Sequence, residues 1–343
     1  MAAFRFISQC LNTKTESISG LHYTVFRRLL NYSTVEYAEQ NDPRPSFFNK
    51  DIQNILRTLT RVDLQRVFRT RKLGQGKVHD PEYRFMTNEE LQMAMREAEL
   101  KADNLLQIPP VVPVRTPISK ILSQDPELQG LESSKMIFTD ITFGVKDSDR
   151  LIVVREPDGT LREAEWEVRN RINQIYFPQE GRAIKTPQMF QGTEFEDVLK
   201  RQEYEFILDR ACIQFEPNDP EYQRVTSITY QHINDNNGFE KLRSTRHFGA
   251  LAFFLVWHKN IDNLLLELIE TCYADEANTL IELYSKIHKV NFEKTSELSM
   301  IEDYIKKFSN KKGALELALQ AYKELLDEKR KVEQGVKTAH GLS

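Results

Sequence analysis

The stretch LRSTRHFGALAFFLVWHKNIDNLLLELI, Leu242 to Ile269, decides how this chain is read. Two arginines and a histidine lead into an apolar run, Gly249 to Trp257, nine residues long. A spanning helix needs about twenty apolar residues, so this run is too short to cross a bilayer. His258, Lys259, Asn260 and Asp262 then interrupt it before a second apolar group. The pattern predicts two helices meeting near HKN, the first apolar on most of its surface and hence buried. Asp262 and Asn263 stand where the second would begin. Phe248, Phe253, Phe254 and Trp257 are expected in its core, because aromatics at helical spacing are usually packed. Arg243 and Arg246 at its mouth have two readings. They pair with internal acids, or they reach an RNA phosphate.

The neighbouring sequence extends this helical reading. From about Gly192 onward the hydrophobic spacing is helical, broken at EPNDP, NDNNG and SNKKG. No fixed-period repeat is present, so an irregular helical array is expected. Upstream the period changes. KMIFTDITFGV and RLIVVREPDGTLR are rich in β-branched and aromatic residues, and PDG supplies a hairpin turn with Gly159 free to take positive φ. EAEWEVRNRINQIYF follows as a helix, with Trp166, Ile172 and Ile175 on its expected packed face and Pro178 at its end. IPPVVPVRTP must be extended, since its prolines lack donors and push preceding residues out of the helical region.

Two helices are expected before that arm. One starts near Asn49, with Ile52, Ile55, Leu56 and Leu59 in one stripe. The other opens at Thr87, where Glu90 completes a capping box, and carries Leu91, Met95, Ala98 and Leu105 along one face. Between them lies a basic run: Arg57, Arg61, Arg66, Arg69, Arg71, Lys72 and Lys77 against the single acid Asp63. Arg57 and Arg61 are four apart and would share a helix face. Clustered guanidinium groups suit bidentate contacts to phosphate. The competing reading is a solvated face paired with acids elsewhere in the chain.

The fold class expected is α+β, predominantly α-helical, with a small sheet in the middle and an irregular helical array in the C-terminal half. The expected divisions are 1–35, 47–108 (helices and basic run), 109–134 (Pro-rich extended linker and short helix), 135–190 (hairpin plus helix), 191–332 (helical domain) and a disordered tail, 333–343. Residues 1–35 carry Arg5, Lys14, Arg27 and Arg28 with one acid, Glu16, among many Ser and Thr. That is the composition of a mitochondrial transit peptide. A secretory signal would need a continuous apolar core.

Composition limits the function classes. The chain has 343 residues, 29% charged, with a formal net charge of −4. A chain that coats RNA would be basic overall. Three dispersed cysteines, Cys10, Cys212 and Cys272, argue against a disulfide framework and against a Cys-rich zinc site. His247 and His258 are about three helical turns apart, too far to share a metal. Neither a G-x-S-x-G elbow, nor an H-E-x-x-H helix, nor a complete phosphate loop occurs, and GQGK at Gly74 to Lys77 lacks the spacing of one. No catalytic residue, cofactor site or metal site is expected.

Three strings carry a resemblance. MIFTDITFGV…RLIVVREPDGTLREAEWEVRNRINQIYFPQEGR, CIQFEPNDPEY and LRSTRHFGALAFFLVWHKNIDNLLLELI resemble, in this order, blocks of the mitochondrion-specific family numbered twenty-two of the mitochondrial small ribosomal subunit. The likeness runs from about Asn49 to about Glu328. It implies a structural ribosomal role in the mitochondrial matrix, without enzymatic activity. The implied partners are other mitochondrial small-subunit ribosomal proteins and small-subunit rRNA, with no membrane and no small-molecule substrate. The candidate rRNA phosphate contacts are then Arg57, Arg61, Arg66, Arg69, Arg71, Lys72, Lys77, Arg243 and Arg246. An adaptor or enzyme of the matrix is the alternative.

Overall fold

The computed structural model describes residues 42–68, 83–130, 133–292 and 298–339. The expected transit segment, together with Arg69, Arg71, Lys72 and Lys77, lies outside them. Helices and a small antiparallel sheet make up the described residues, as the α+β reading requires.

Before the sheet come α1 (Arg44–Phe47), α2 (Lys50–Thr60), α3 (Leu64–Val67) and α4 (Asn88–Leu105). The sheet module holds β1 (Ile121–Gln124), β2 (Met136–Thr139), β3 (Ile152–Arg155), β4 (Thr160–Glu163) and α5 (Trp166–Tyr176). The helical body continues with α6 (Gly192–Lys200), α7 (Tyr204–Gln214), α8 (Pro220–Asp235), α9 (His247–Trp257), α10 (Asp262–Glu270), α11 (Ala274–His288), α12 (Ser299–Lys307) and α13 (Lys312–Ala339).

Helix α9 is the axis of the body. Every residue from His247 to Val256 is buried. With apolar side chains on all sides it has no wet face, so it can only sit inside a ring of partners. Helices α2, α8 and α11 supply that ring. Phe253 meets Phe47 edge to face, with ring centroids 5.2 Å apart. The α2 stripe of Ile52, Ile55, Leu56 and Leu59 is buried as its spacing predicts. Asn49 caps that helix by accepting from the Asp51 amide. Trp257 stands at the exit of α9, half-buried and stacked on Phe253. Its removal is therefore a smaller loss than that of a fully enclosed aromatic. Trp257→Ala should cost about 1–3 kcal/mol, below the ~3–5 of a buried ring, and a thermal melt reads the difference.

The turn between α9 and α10 lies at the predicted place, but Asp262 does more than begin a helix. Its carboxylate accepts the Tyr304 hydroxyl (2.9 Å) and the Asn310 amide (2.8 Å), which fastens α10 to the junction of α12 and α13. Helix α13 runs to Ala339, beyond the boundary expected at residue 332.

The extended arm, residues 108–119, lies on the body. Gln223 Nε2 donates to Val112 O, and the Arg115 amide donates to Asn218 O. Gly249 explains itself here. A Cβ at that position would collide with the Ile108 side chain, so the glycine lets the arm close on the most buried helix.

The sheet has the order β1-β4-β3-β2, all antiparallel neighbours. The PDG hairpin joins β3 to β4 as predicted, with Gly159 at φ +84. A side chain there would also run into the Asp125 backbone. Strand β1 replaces part of the expected linker and short helix. Its pairing with β4 satisfies backbone groups that the sequence alone assigns to no partner. Ile152 and Val154 face α5, against Val168 and Ile172. Ile175 does not join them and is exposed. The buried positions of α5 are polar: Arg169, Asn173 and Gln174.

Candidate functional site

Helix α4 begins with the predicted capping box: Thr87 accepts from the Glu90 amide, and Glu90 accepts from the Thr87 amide. Its apolar stripe, however, is mostly uncovered. Leu91, Met95 and Leu105 are exposed, and only Ala102 is fully buried. Strand β2 is likewise an open edge, with Met136, Ile137 and Phe138 exposed. After it, Ile141 and Phe143 stand almost bare on a loop that Arg150 holds from beneath. Arg150 is buried, donates to the carbonyls of Asp140, Thr142 and Val145, and lies over the Phe177 ring. Apolar surface displayed on pinned backbone is suited to contact with other proteins.

The candidate phosphate contacts are placed very differently from one another. Arg57 is exposed and pairs with Asp103 of α4. Arg66 pairs with Glu240 at 2.5 Å and is partly exposed. Arg61 does not share a helix face with Arg57, against the four-residue spacing. It ends α2 in the left-handed region at φ 52, leaves the helix, and makes a two-point contact with Glu276. Its guanidinium also lies 3.5 Å from the Tyr273 ring centroid.

Arg243 is inside the protein, 1% exposed. It pairs with Glu267 at 3.1 Å and Glu276 at 3.3 Å, donates to Leu59 O at 2.7 Å, and lies over the Phe248 ring. As a handle for RNA it is therefore corrected: a phosphate cannot reach it without opening the body. Next to it Ser244 takes φ 57. The Ser244 amide donates to Thr60 O, and its hydroxyl donates to Arg61 O at 2.5 Å. The string LRSTR thus clasps the end of α2 to α10 and α11. Arg246 pairs with Asp209 at 2.7 Å and remains partly exposed.

Burial sets the electrostatics of this junction. It pulls the Arg243 guanidinium down from its ordinary value despite Glu267 and Glu276, and it pushes Glu267 up despite Arg243. Both shifts have one leading cause, the cost of taking charge out of water, which the ion pairs offset in part.

His247 is buried with Nε2 2.9 Å from Asp209 Oδ1. Its Nδ1 has no hydrogen-bond partner among the described residues. Burial lowers its pKa, as it does for His232 and His288. A histidine whose pKa falls on folding is protonated first in the unfolded chain. Stability is then full above the ordinary histidine pKa of about 6.5 and is lost as pH falls below it. The denaturant midpoint should drop between pH 7.5 and pH 6, and the drop should shrink in His247→Gln. An identical pH slope in that variant would assign the dependence elsewhere.

The arrangement braces the body from within; it offers no converging nucleophile, base and orienting group among the described residues. No group of three or more His, Cys, Asp or Glu residues there could hold a metal ion, and no described helix is long and apolar enough to cross a membrane.

Sequence comparisons point the same way. Residues 45–289 match the family model described as mitochondrial 28S ribosomal protein S22. The chain is 36% identical over 307 residues to small ribosomal subunit protein mS22 of Mus musculus, covering 88% of this chain and 84% of the mouse protein. It is 37% identical over 297 residues to small ribosomal subunit protein mS22 of Bos taurus, covering 84% and 82%.

Proposed function

The chain belongs to the mitochondrial 28S ribosomal protein S22 family, and from that premise we propose how it serves the particle. Its role is structural and non-enzymatic, as a constituent of the small subunit of the mitochondrial ribosome. It works in the matrix as a scaffold that joins neighbouring ribosomal proteins to rRNA. The family match over most of the chain is the observation that carries this reading.

The uncovered stripe of α4 and the β2 edge are the surfaces we assign to neighbouring proteins. For rRNA we assign Arg57 and Arg66, whose side chains reach solvent. Arg69, Arg71, Lys72 and Lys77, which continue the same basic run, complete the set. Arg61, Arg243 and Arg246 we assign to holding the body together. An acidic chain with one basic segment fits such a division, since phosphate contacts position a protein without requiring it to be basic throughout.

Replacing Arg57, Arg66, Arg69 and Arg71 with Ala tests the RNA assignment. Crosslinking to small-subunit rRNA should fall, and the salt slope of the association should shrink by about one for each phosphate left without its arginine. The melting temperature should stay close to wild type. Unchanged crosslinking and slope would reject the assignment.

A further inference from the structure

Between the sheet module and the body lies a polar cavity of about 390 Å³. That volume is within the roughly 300–1,000 Å³ of sites that take small ligands. Helix α5 forms one wall, and the segment before α8 forms the other. Their closeness is fixed by the arm: Arg115 pairs with Asp219 at 2.6 Å, while Trp166 Nε1 donates to Thr116 O at 2.7 Å.

The charges in this cavity do not cancel. Arg115 is matched by Asp219, and Glu216 is matched by Arg182 at 2.7 Å outside the cavity. Two cations remain. Arg169 is 6% exposed and donates only to the carbonyls of Ser148 and Arg150, with no carboxylate at ion-pair distance among the described residues. Lys146 is exposed on the rim, and it too pairs with no described acid. Against them stands Asp147, which already accepts from Gln179 Nε2 at 2.8 Å. Arg169 feels the charge of Glu163 only through space, without an ion pair, so its burial remains costly, and an incoming anion relieves that cost.

The rest of the lining is amide. Asn170 and Asn218 present side chains with no described hydrogen-bond partner, and Asn173, 5% exposed, has an unpartnered Oδ1. A cavity of this size holds more than a phosphate. Amides can both donate to and accept from the edge of a base, which phosphate recognition alone does not require. We propose that this cavity binds one nucleotide of single-stranded RNA, its phosphate at Lys146 and Arg169 and its base among the asparagines. RNA is read in this way where bases are unpaired and their edges are accessible.

The proposal rests on the ribosomal reading, and its test is kept separate from that reading. The full chain carries two tryptophans. A Trp257→Phe background leaves Trp166, at the cavity, as the reporter. The probes are a single-stranded oligoribonucleotide, the same sequence as a duplex, 5′-AMP and inorganic phosphate. The single strand should change Trp166 emission saturably, 5′-AMP should compete for the site, and phosphate and duplex should bind much more weakly. Lys146→Glu, a change on the exposed rim, should weaken the single strand about tenfold with an unchanged thermal melt. Equal binding of duplex and single strand, no competition by 5′-AMP, or full affinity in Lys146→Glu would each overturn the proposal. A wild-type chain that sediments with the small subunit yet leaves Trp166 unmoved would remove the cavity's role alone.

Discussion

Phe253→Ala should destabilise the chain by about 3–5 kcal/mol. Phe253 is fully buried in the middle of α9, with Phe47 at its edge and Trp257 stacked beside it. Truncation removes a large apolar surface and opens a cavity in a helix enclosed on every side, where neighbours from α1, α2 and α11 are too constrained to collapse inward. Denaturant unfolding should show a lower midpoint with little change in slope. A near-neutral effect would mean that α9 is not the axis of the body.

Arg243→Met should cost about as much, for a different reason. The substitution keeps the apolar stem but leaves Glu267 half-buried without its cation and Leu59 O without its donor. Breaking one side of a buried ion pair costs about 3–5 kcal/mol, although the intact pair adds little net stability. Glu276 still has Arg61, so Glu267 carries the penalty. The double variant Arg243→Met with Glu267→Gln should therefore recover a substantial part of the loss. If the double variant is as unstable as the sum of the two single ones, the ion pair is not the source of the effect.

Local chemistry was legible in the sequence, and long-range partnership was not. The α2 stripe, the capping box at Thr87 and Glu90, the turn at Gly159 and the break between α9 and α10 each depend on residues a few positions apart. All of them appear where the spacing put them. The acids that receive the arginines lie far along the chain: Glu276 is 215 residues from Arg61, and Glu240 is 174 from Arg66. A charge cluster announces that partners are needed; it does not say whether an acid or a phosphate supplies them. That is why Arg243, read from sequence as an internal ion-pair partner first, keeps an RNA handle as its rival until its burial is seen.

Hydropathy failed in two instructive places. The stripe of α4 has the period of a packed face, yet Leu91 and Met95 are about half exposed, because periodicity reports the helix and not its cover. In α5 the buried positions are Arg169, Asn173 and Gln174, which hydropathy assigns to solvent. They are inside because they donate to the carbonyls of the neighbouring loops, from Asp147 to Arg150 and from Gln179 to Arg182. That polar lining also gives the cavity beside α5 its character, and nothing in the spacing of EAEWEVRNRINQIYF discloses it.

A density map of the native mitochondrial small subunit tests the structural role most directly. It should show this chain bound to the particle, with the stripe of α4 and the edge of β2 covered by neighbouring proteins and Arg57, Arg66, Arg69, Arg71, Lys72 and Lys77 against rRNA. Arg243 should remain enclosed by Glu267 and Glu276. A small subunit with complete density and no place for this chain would contradict the account.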